Sequence, residues 1–191
     1  NLTLYSARAL LILDAANGSR VLAKYYAPPA GMGAPPSAVE SMTVREQKAF
    51  ERKLWEKTRK ALTSEIVLFD NHVVVYKSVS DVILYVVGTL DDNEVMLSSA
   101  LNTVFESINL VLLYYQSTEK RTILDYMDLV ALTVDECIDQ GFMLETDPGT
   151  IVARVSKRPS EMADVSLGDP QSISDALNKA KEQFFAGVLL K

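Results

Sequence analysis

Residues 9–26 read Ala9-Leu10-Leu11-Ile12-Leu13-Asp14-Ala15-Ala16-Asn17-Gly18-Ser19-Arg20-Val21-Leu22-Ala23-Lys24-Tyr25-Tyr26. Ala9 to Leu13 is an unbroken apolar run, the pattern of a strand buried on both faces. Asn17-Gly18 follows, and both residues tolerate positive φ, which makes the pair a strong short-range hairpin signal. Arg20 to Tyr26 then returns as a second strand. An N-terminal hairpin of this kind directs the rest of the reading towards an antiparallel sheet with helices laid on it.

Outward from the hairpin, residues 27–42 hold four of the seven prolines, with Gly31 and Gly33. Proline fixes φ and lacks an N–H, so this segment reads as an exposed loop, mobile and dispensable for folding. Thr43, with Glu46 three residues on, forms a capping box for a helix over 44–62. Phe50, Leu54 and Ala61 share one face of that helix, and Trp55 flanks the stripe as core edge or partner anchor. Three β-branched runs, at 65–69, 72–76 and 82–87, read as a meander. His72, just after a turn, reads as a surface or strand-edge histidine. Asp91-Asp92-Asn93 offers an N-cap for a long helix over 94–116, striped by Leu97, Leu101, Val104 or Phe105, Ile108 and Leu112. A second helix is expected over 121–140, stopped by Gly141, and a short added strand over 150–155.

The predicted order is β-β-α-β-β-β-α-α. This is an α+β architecture, a five-stranded antiparallel sheet flanked by helices, filling residues 1–156. Residues 157–191 read as a polar linker and a C-terminal amphipathic helix, in which Phe184 and Phe185 are adjacent. Tyr114 and Tyr115 are also consecutive. Neighbouring aromatics on a helix cannot both enter one core, so both pairs are candidates for a partner interface.

Of 191 residues, 48% are apolar and 23% charged, an ordinary globular balance. No run reaches about 18 uncharged apolar residues, so no transmembrane helix is expected. The single cysteine, Cys137, excludes an internal disulfide and suits a reducing compartment. With His72 the only histidine, a His/Cys zinc cluster is excluded as well. The net charge of −6 is uneven. Seven bases and three acids between Arg45 and Lys60 leave that segment at +4, and the remainder at −10. An acidic chain with one basic helix is a poor nucleic-acid binder. The basic run reads as a solvated face, or as a docking face for an acidic partner or an anionic membrane.

Motifs that carry chemistry are missing from the sequence. There is no P-loop, no GxGxxG, no GxSxG elbow, no HExxH and no EF-hand loop. Cys137 lies among Asp135, Glu136 and Asp139, which oppose thiolate formation. Asp125, Asp128 and Asp135 fall where helix solvation explains them. Catalytic residues, cofactor and metal are therefore all expected to be absent.

The ordered set of local sequences is similar to one family. Ile12-Leu13-Asp14, Asn17-Gly18 and Leu22-Ala23-Lys24-Tyr25-Tyr26 resemble the start of an adaptor small chain. Glu65-Ile66, Val74-Val75-Tyr76-Lys77 and the segment from Asp81 to Asp92 resemble its meander. Val134-Asp135-Glu136, Gly141, Leu144-Glu145-Thr146-Asp147-Pro148 and Ala180-Lys181-Glu182-Gln183 extend the resemblance to the coatomer zeta subunits, over nearly the whole chain. That resemblance implies a longin-like fold and a non-catalytic coat subunit partnered by the coatomer gamma subunit. It also implies the other coatomer subunits as neighbours, indirect dependence on an Arf-family GTPase, and a cytoplasmic location on the cytosolic face of Golgi membranes. Retrograde transport to the endoplasmic reticulum and intra-Golgi transport follow from the same resemblance. In the related sigma chains, apolar positions near Val82 and Phe105 line a pocket for dileucine sorting signals. A sigma-type cargo reader is thus the alternative within the fold, although Ser117-Thr118-Glu119-Lys120-Arg121 departs from the sigma pattern. A small enzyme using Asp/Glu chemistry is the alternative outside it, and would need paired, enclosed carboxylates.

Overall fold

The hairpin forms as β1 (Ala9–Asp14) and β2 (Arg20–Tyr25), in a computed structural model that describes residues 7–27, 39, 41–60, 65–113 and 117–156. All of these lie within one unit, Asn1–Lys157. The expected linker and terminal helix lie outside the described residues, as do Tyr114, Tyr115, Phe184 and Phe185. After α1 (Val44–Thr58), the meander follows as β3 (Glu65–Phe69), β4 (His72–Val79) and β5 (Val82–Thr89). Asp70 and Asn71, both at positive φ, turn β3 into β4. The sheet order is β2-β1-β5-β4-β3, with every pair antiparallel. β1 is therefore an interior strand, flanked by β2 and β5 and buried along its whole length, which is why it could be apolar throughout.

Strand alternation divides the interior into two cores. Leu10, Ile12, Val73, Val75, Leu84 and Val86 face one side. Leu11, Leu13, Val74, Tyr76, Ile83 and Tyr85 face the other. On the second side lies α1. Its capping box forms as read, Thr43 accepting from the Glu46 N–H and Glu46 from the Thr43 N–H. Phe50 and Leu54 are buried under it, each contributing roughly 1.5–3 kcal/mol of burial. The Thr58 hydroxyl donates to the Leu54 carbonyl oxygen (3.0 Å) and shares a hydrogen bond with the Tyr85 hydroxyl (2.7 Å). Burial pushes the Tyr85 phenol up to about 12, against the opposing effect of the Thr58 bond.

One expectation fails on this side and another is narrowed, residues 28–38 and 40 of the proline-rich segment lying outside the described residues. Val39 has no exposed surface and joins the second core, with Met42 packed against it. The proline-rich segment is therefore not packing-free, because its C-terminal end supplies core side chains. His72 is buried rather than on the surface, with its Nδ1 2.6 Å from the Asp70 carbonyl oxygen and its ring edge-on to Phe50.

The first side is covered by α2 (Glu94–Leu112), α4 (Met127–Cys137) and α5 (Pro148–Ser156). By length and composition alone α2 could cross a membrane. Its stripe of Leu97, Leu101, Val104, Ile108 and Leu112 is instead spent on the core. Gly88 lets it come close, since a methyl there would lie 2.6 Å from a Leu97 methyl. The predicted helix over 121–140 is two helices, α3 (Lys120–Asp125) and α4, broken at Tyr126 (φ −119, ψ 37). Its last residues form a small hairpin, β6 (Ile138–Asp139) with β7 (Phe142–Met143). Gly141 has positive φ, but in the turn of that hairpin rather than as a helix cap. The predicted strand over 150–155 is the helix α5. Asp147 accepts from the Thr150 N–H (2.7 Å), and Pro148 takes the first helical position. Ile151 and Val155, one turn apart, are the residues it buries.

Polar contacts fix the helices to the sheet. Glu51 of α1, 2% exposed, accepts from Arg20 Nε (3.0 Å), Arg20 Nη2 (2.5 Å) and the Tyr25 hydroxyl (2.8 Å). At the start of α3, Lys120 donates from Nζ to Asp14 (2.5 Å) and from its backbone N–H to Asp81 (2.7 Å).

Candidate interaction surface

β3 is an edge strand. Its Ile66 and Leu68 pair with Val75 and Val73, so they point to the first side of the sheet. There α2 packs over β4 and β5, and the sheet extends one strand beyond it. Ile66 is 56% exposed, Leu68 63% and Val95 of α2 75%. Between β3 and α2 lies an open groove of about 520 Å³. Ser98, Ser99 and Asn102 line its helix wall, and Glu94 and Glu106 stand on its rim. Ile66 and Val95 line the groove and Leu68 stands two residues further along the open strand edge, an arrangement that a partner chain covers.

The groove offers no reaction. Its two carboxylates are exposed, and its serines have no histidine beside them. His72 and Cys137 pack into opposite cores, so no Cys-His pair exists. Burial pushes the Cys137 thiol up to about 12, which leaves it protonated at neutral pH. Among the described residues no group of three or more His, Cys, Asp or Glu side chains could hold a metal ion. Asp125 and Asp128 are exposed, and Asp135 pairs with Lys24.

The interface candidates read from the sequence are placed as follows. Trp55 is 9% exposed, donates from Nε1 to the Ala15 carbonyl oxygen (3.0 Å) and carries the Arg59 guanidinium over its ring. Val82 is fully buried in the first core. Phe105 is half-buried, with the Lys77 ammonium 4.1 Å from its ring centre. Contacts within the chain thus occupy all three. Sequence reasoning missed Ile66, Leu68 and Val95. The signal was present in Glu65-Ile66-Val67-Leu68-Phe69, which is apolar on both faces although only one helix was available beside it.

A small sheet covered on both sides, with exposed aliphatic side chains gathered beside an open edge strand, is built to be held by another chain. That is the class of the adaptor small chains, and comparison with known proteins agrees. A family model described as clathrin adaptor complex small chain matches residues 6–162. The chain is 37% identical over 184 residues to coatomer subunit zeta of Saccharomyces cerevisiae, covering 96% of this chain and 95% of that one. It is 41% identical over 181 residues to coatomer subunit zeta-1 of Homo sapiens, covering 95% and 92%. In fold it matches a chain in a homology model of the full-length AP-3 complex in a stretched open conformation. That match has a TM-score of 0.59 and 15% identity, and covers 95% of this chain and 98% of the other. The chain belongs to the clathrin adaptor complex small chain family, in the line of the coatomer zeta subunits. It is accordingly a non-enzymatic coat subunit of vesicle trafficking.

Proposed function

We propose that this chain is a structural subunit of the coatomer coat whose work is to bind the coatomer gamma subunit. Through that partner it joins the other coatomer subunits and reaches the cytosolic face of Golgi membranes, recruited indirectly by an Arf-family GTPase. The transport it serves is retrograde, from Golgi to endoplasmic reticulum, and intra-Golgi. Family membership supports the coat, and the groove lined by Ile66 and Val95, with Leu68 further along the same edge strand, carries the binding role. All three side chains are more than half exposed and lose water contact when covered, and an edge strand accepts a partner's backbone as readily as its side chains. The sigma-type reading finds no comparable support, since Val82 has no surface to offer and Lys77 covers Phe105.

The test is co-expression with the gamma subunit followed by size-exclusion chromatography. The expected result is a 1:1 complex that is lost when Ile66→Asp and Leu68→Asp are combined. The lack of any complex with the unchanged chain refutes the partner. An undiminished complex with the double variant refutes the groove.

A further inference from the structure

The structure places the basic segment on the outer surface of α1 and turns one of its three acids, Glu51, into the interior. Arg45, Lys48, Arg52 and Arg59 recur at three-, four- and seven-residue steps and share one side of the helix, opposite the buried Phe50, Leu54 and Thr58. Lys53, Lys57 and Lys60 stand beside them, and all seven bases are exposed. Of the three acids in α1, Glu51 turns inward to Arg20 and Tyr25, and Glu46 is held by the Thr43 cap. Glu56 is left on the outer face, paired with Arg52. Asp70, in the turn beside the helix, is a further acid on this side. The result is a convex positive strip about 22 Å long.

Among the described residues, many of the acids that make the chain negative lie across the sheet. Glu94 and Glu106 are on α2, and Asp128 and Asp135 on α4. A sheet and two helix layers separate the outer faces by more than about 20 Å, beyond two Debye lengths of about 8 Å each at physiological ionic strength. The strip therefore acts on its surroundings as a cationic surface despite the net charge of −6. It lies on the opposite side of the sheet from the groove of Ile66 and Val95, so a partner seated in that groove leaves it uncovered.

We infer that the outer face of α1 is a docking surface for an anionic lipid bilayer, and that it orients this coat subunit with α1 towards the membrane. The charge is complementary and the shape fits. The bases fan over a single convex helix and do not converge on a pocket, which suits a plane of headgroups better than the discrete side chains of an acidic peptide. Each base near an anionic surface strengthens binding about fivefold, so a net excess of four gives on the order of a hundredfold or more at low salt.

The test is co-sedimentation of the full chain with phosphatidylcholine vesicles, with and without phosphatidylserine, at low and physiological salt. The variant combines Arg45→Gln, Lys48→Gln, Arg52→Gln and Lys53→Gln. All four positions are exposed, so its melting temperature and its complex with the gamma subunit are expected to be unchanged. The expected result is binding to phosphatidylserine vesicles alone, weakened by salt and reduced about a hundredfold or more in the variant. Equal binding to neutral vesicles, binding retained by the variant, or no vesicle binding by the unchanged chain overturns the inference. Salt-sensitive capture of polyglutamate without vesicle binding also overturns it, and assigns the strip to an acidic protein. Because the gamma complex is scored separately, loss of one reading leaves the other standing.

Discussion

Replacing Gly18 with alanine is expected to destabilise the domain by about 3 kcal/mol, through two contributions that can be separated. Gly18 lies at φ +69, where an L side chain costs roughly 1 kcal/mol. A methyl group there would also lie 2.7 Å from Cγ and Cδ2 of Trp55 and 3.0 Å from Cε3. The indole cannot retreat freely, because its N–H is bound to Ala15 and Arg59 covers its ring. Moving it gives up most of a hydrogen bond worth about 1 kcal/mol and strains the packing by about 1 kcal/mol more, the low end for one added methyl. Urea unfolding of the full chain, followed by circular dichroism, measures the sum. In a Trp55→Leu background the clash is gone and the same Gly18→Ala change should cost only about 1 kcal/mol, a coupling of roughly 2 kcal/mol. A loss under about 1 kcal/mol in the natural background, or equal losses in both, would refute the account of Trp55 as a residue fixed inside the domain.

Other perturbations probe the contacts that join the helices to the sheet. Glu51→Leu strands the Arg20 guanidinium and should cost about 2–4 kcal/mol, the lower part of the range reflecting water's access to a quarter-exposed arginine. Adding Arg20→Met should recover most of that loss in the same urea titration, and a further loss would contradict it. Burial alone would raise the pKa of Asp14, but the Lys120 hydrogen bond and the Ala16 N–H outweigh it and hold the carboxyl below its usual value. Its contribution is therefore present above about pH 4 and is lost as pH falls through the lowered pKa. Asp14→Asn should accordingly lower stability at pH 7 and converge with the unchanged chain in strong acid, as read by thermal melts across pH. Val39→Ala should cost roughly 1–2 kcal/mol, and replacing residues 27–42 with a short Gly/Ser link should lower the melting temperature by several degrees.

The sheet was legible because its signals are local. An apolar run, Asn17-Gly18 and Asp70-Asn71 each specify strand or turn chemistry within a few residues. The α5 helix was legible too and was misread. The β-branched Thr150-Ile151-Val152 suggested a strand, while Asp147-Pro148 already spelled a helix start. The break at Tyr126 had no such signal, lacking proline, glycine and a side-chain cap. It follows from tertiary contacts, with Lys120 tied to Asp14 and Asp81 across more than 35 positions of sequence. The candidate surface was the least legible part. Aromatic residues were sought as anchors, yet Trp55 is consumed by a turn forty residues away and Phe105 by Lys77. Aliphatic side chains become an interface only once the strand order makes β3 an edge and leaves it beyond the reach of α2. Residues 65–69 show a strand apolar on both faces, but its place at the sheet edge comes only from the strand order.

Amide hydrogen exchange of the full chain, alone and bound to the coatomer gamma subunit, tests most directly the claim that this protein works by being held. Binding is expected to slow exchange in β3, residues 65–69, and along the first three turns of α2, while the outer turns of α1 stay as exposed as in the free chain. Unchanged exchange at β3 and α2 in a demonstrated complex would contradict the account.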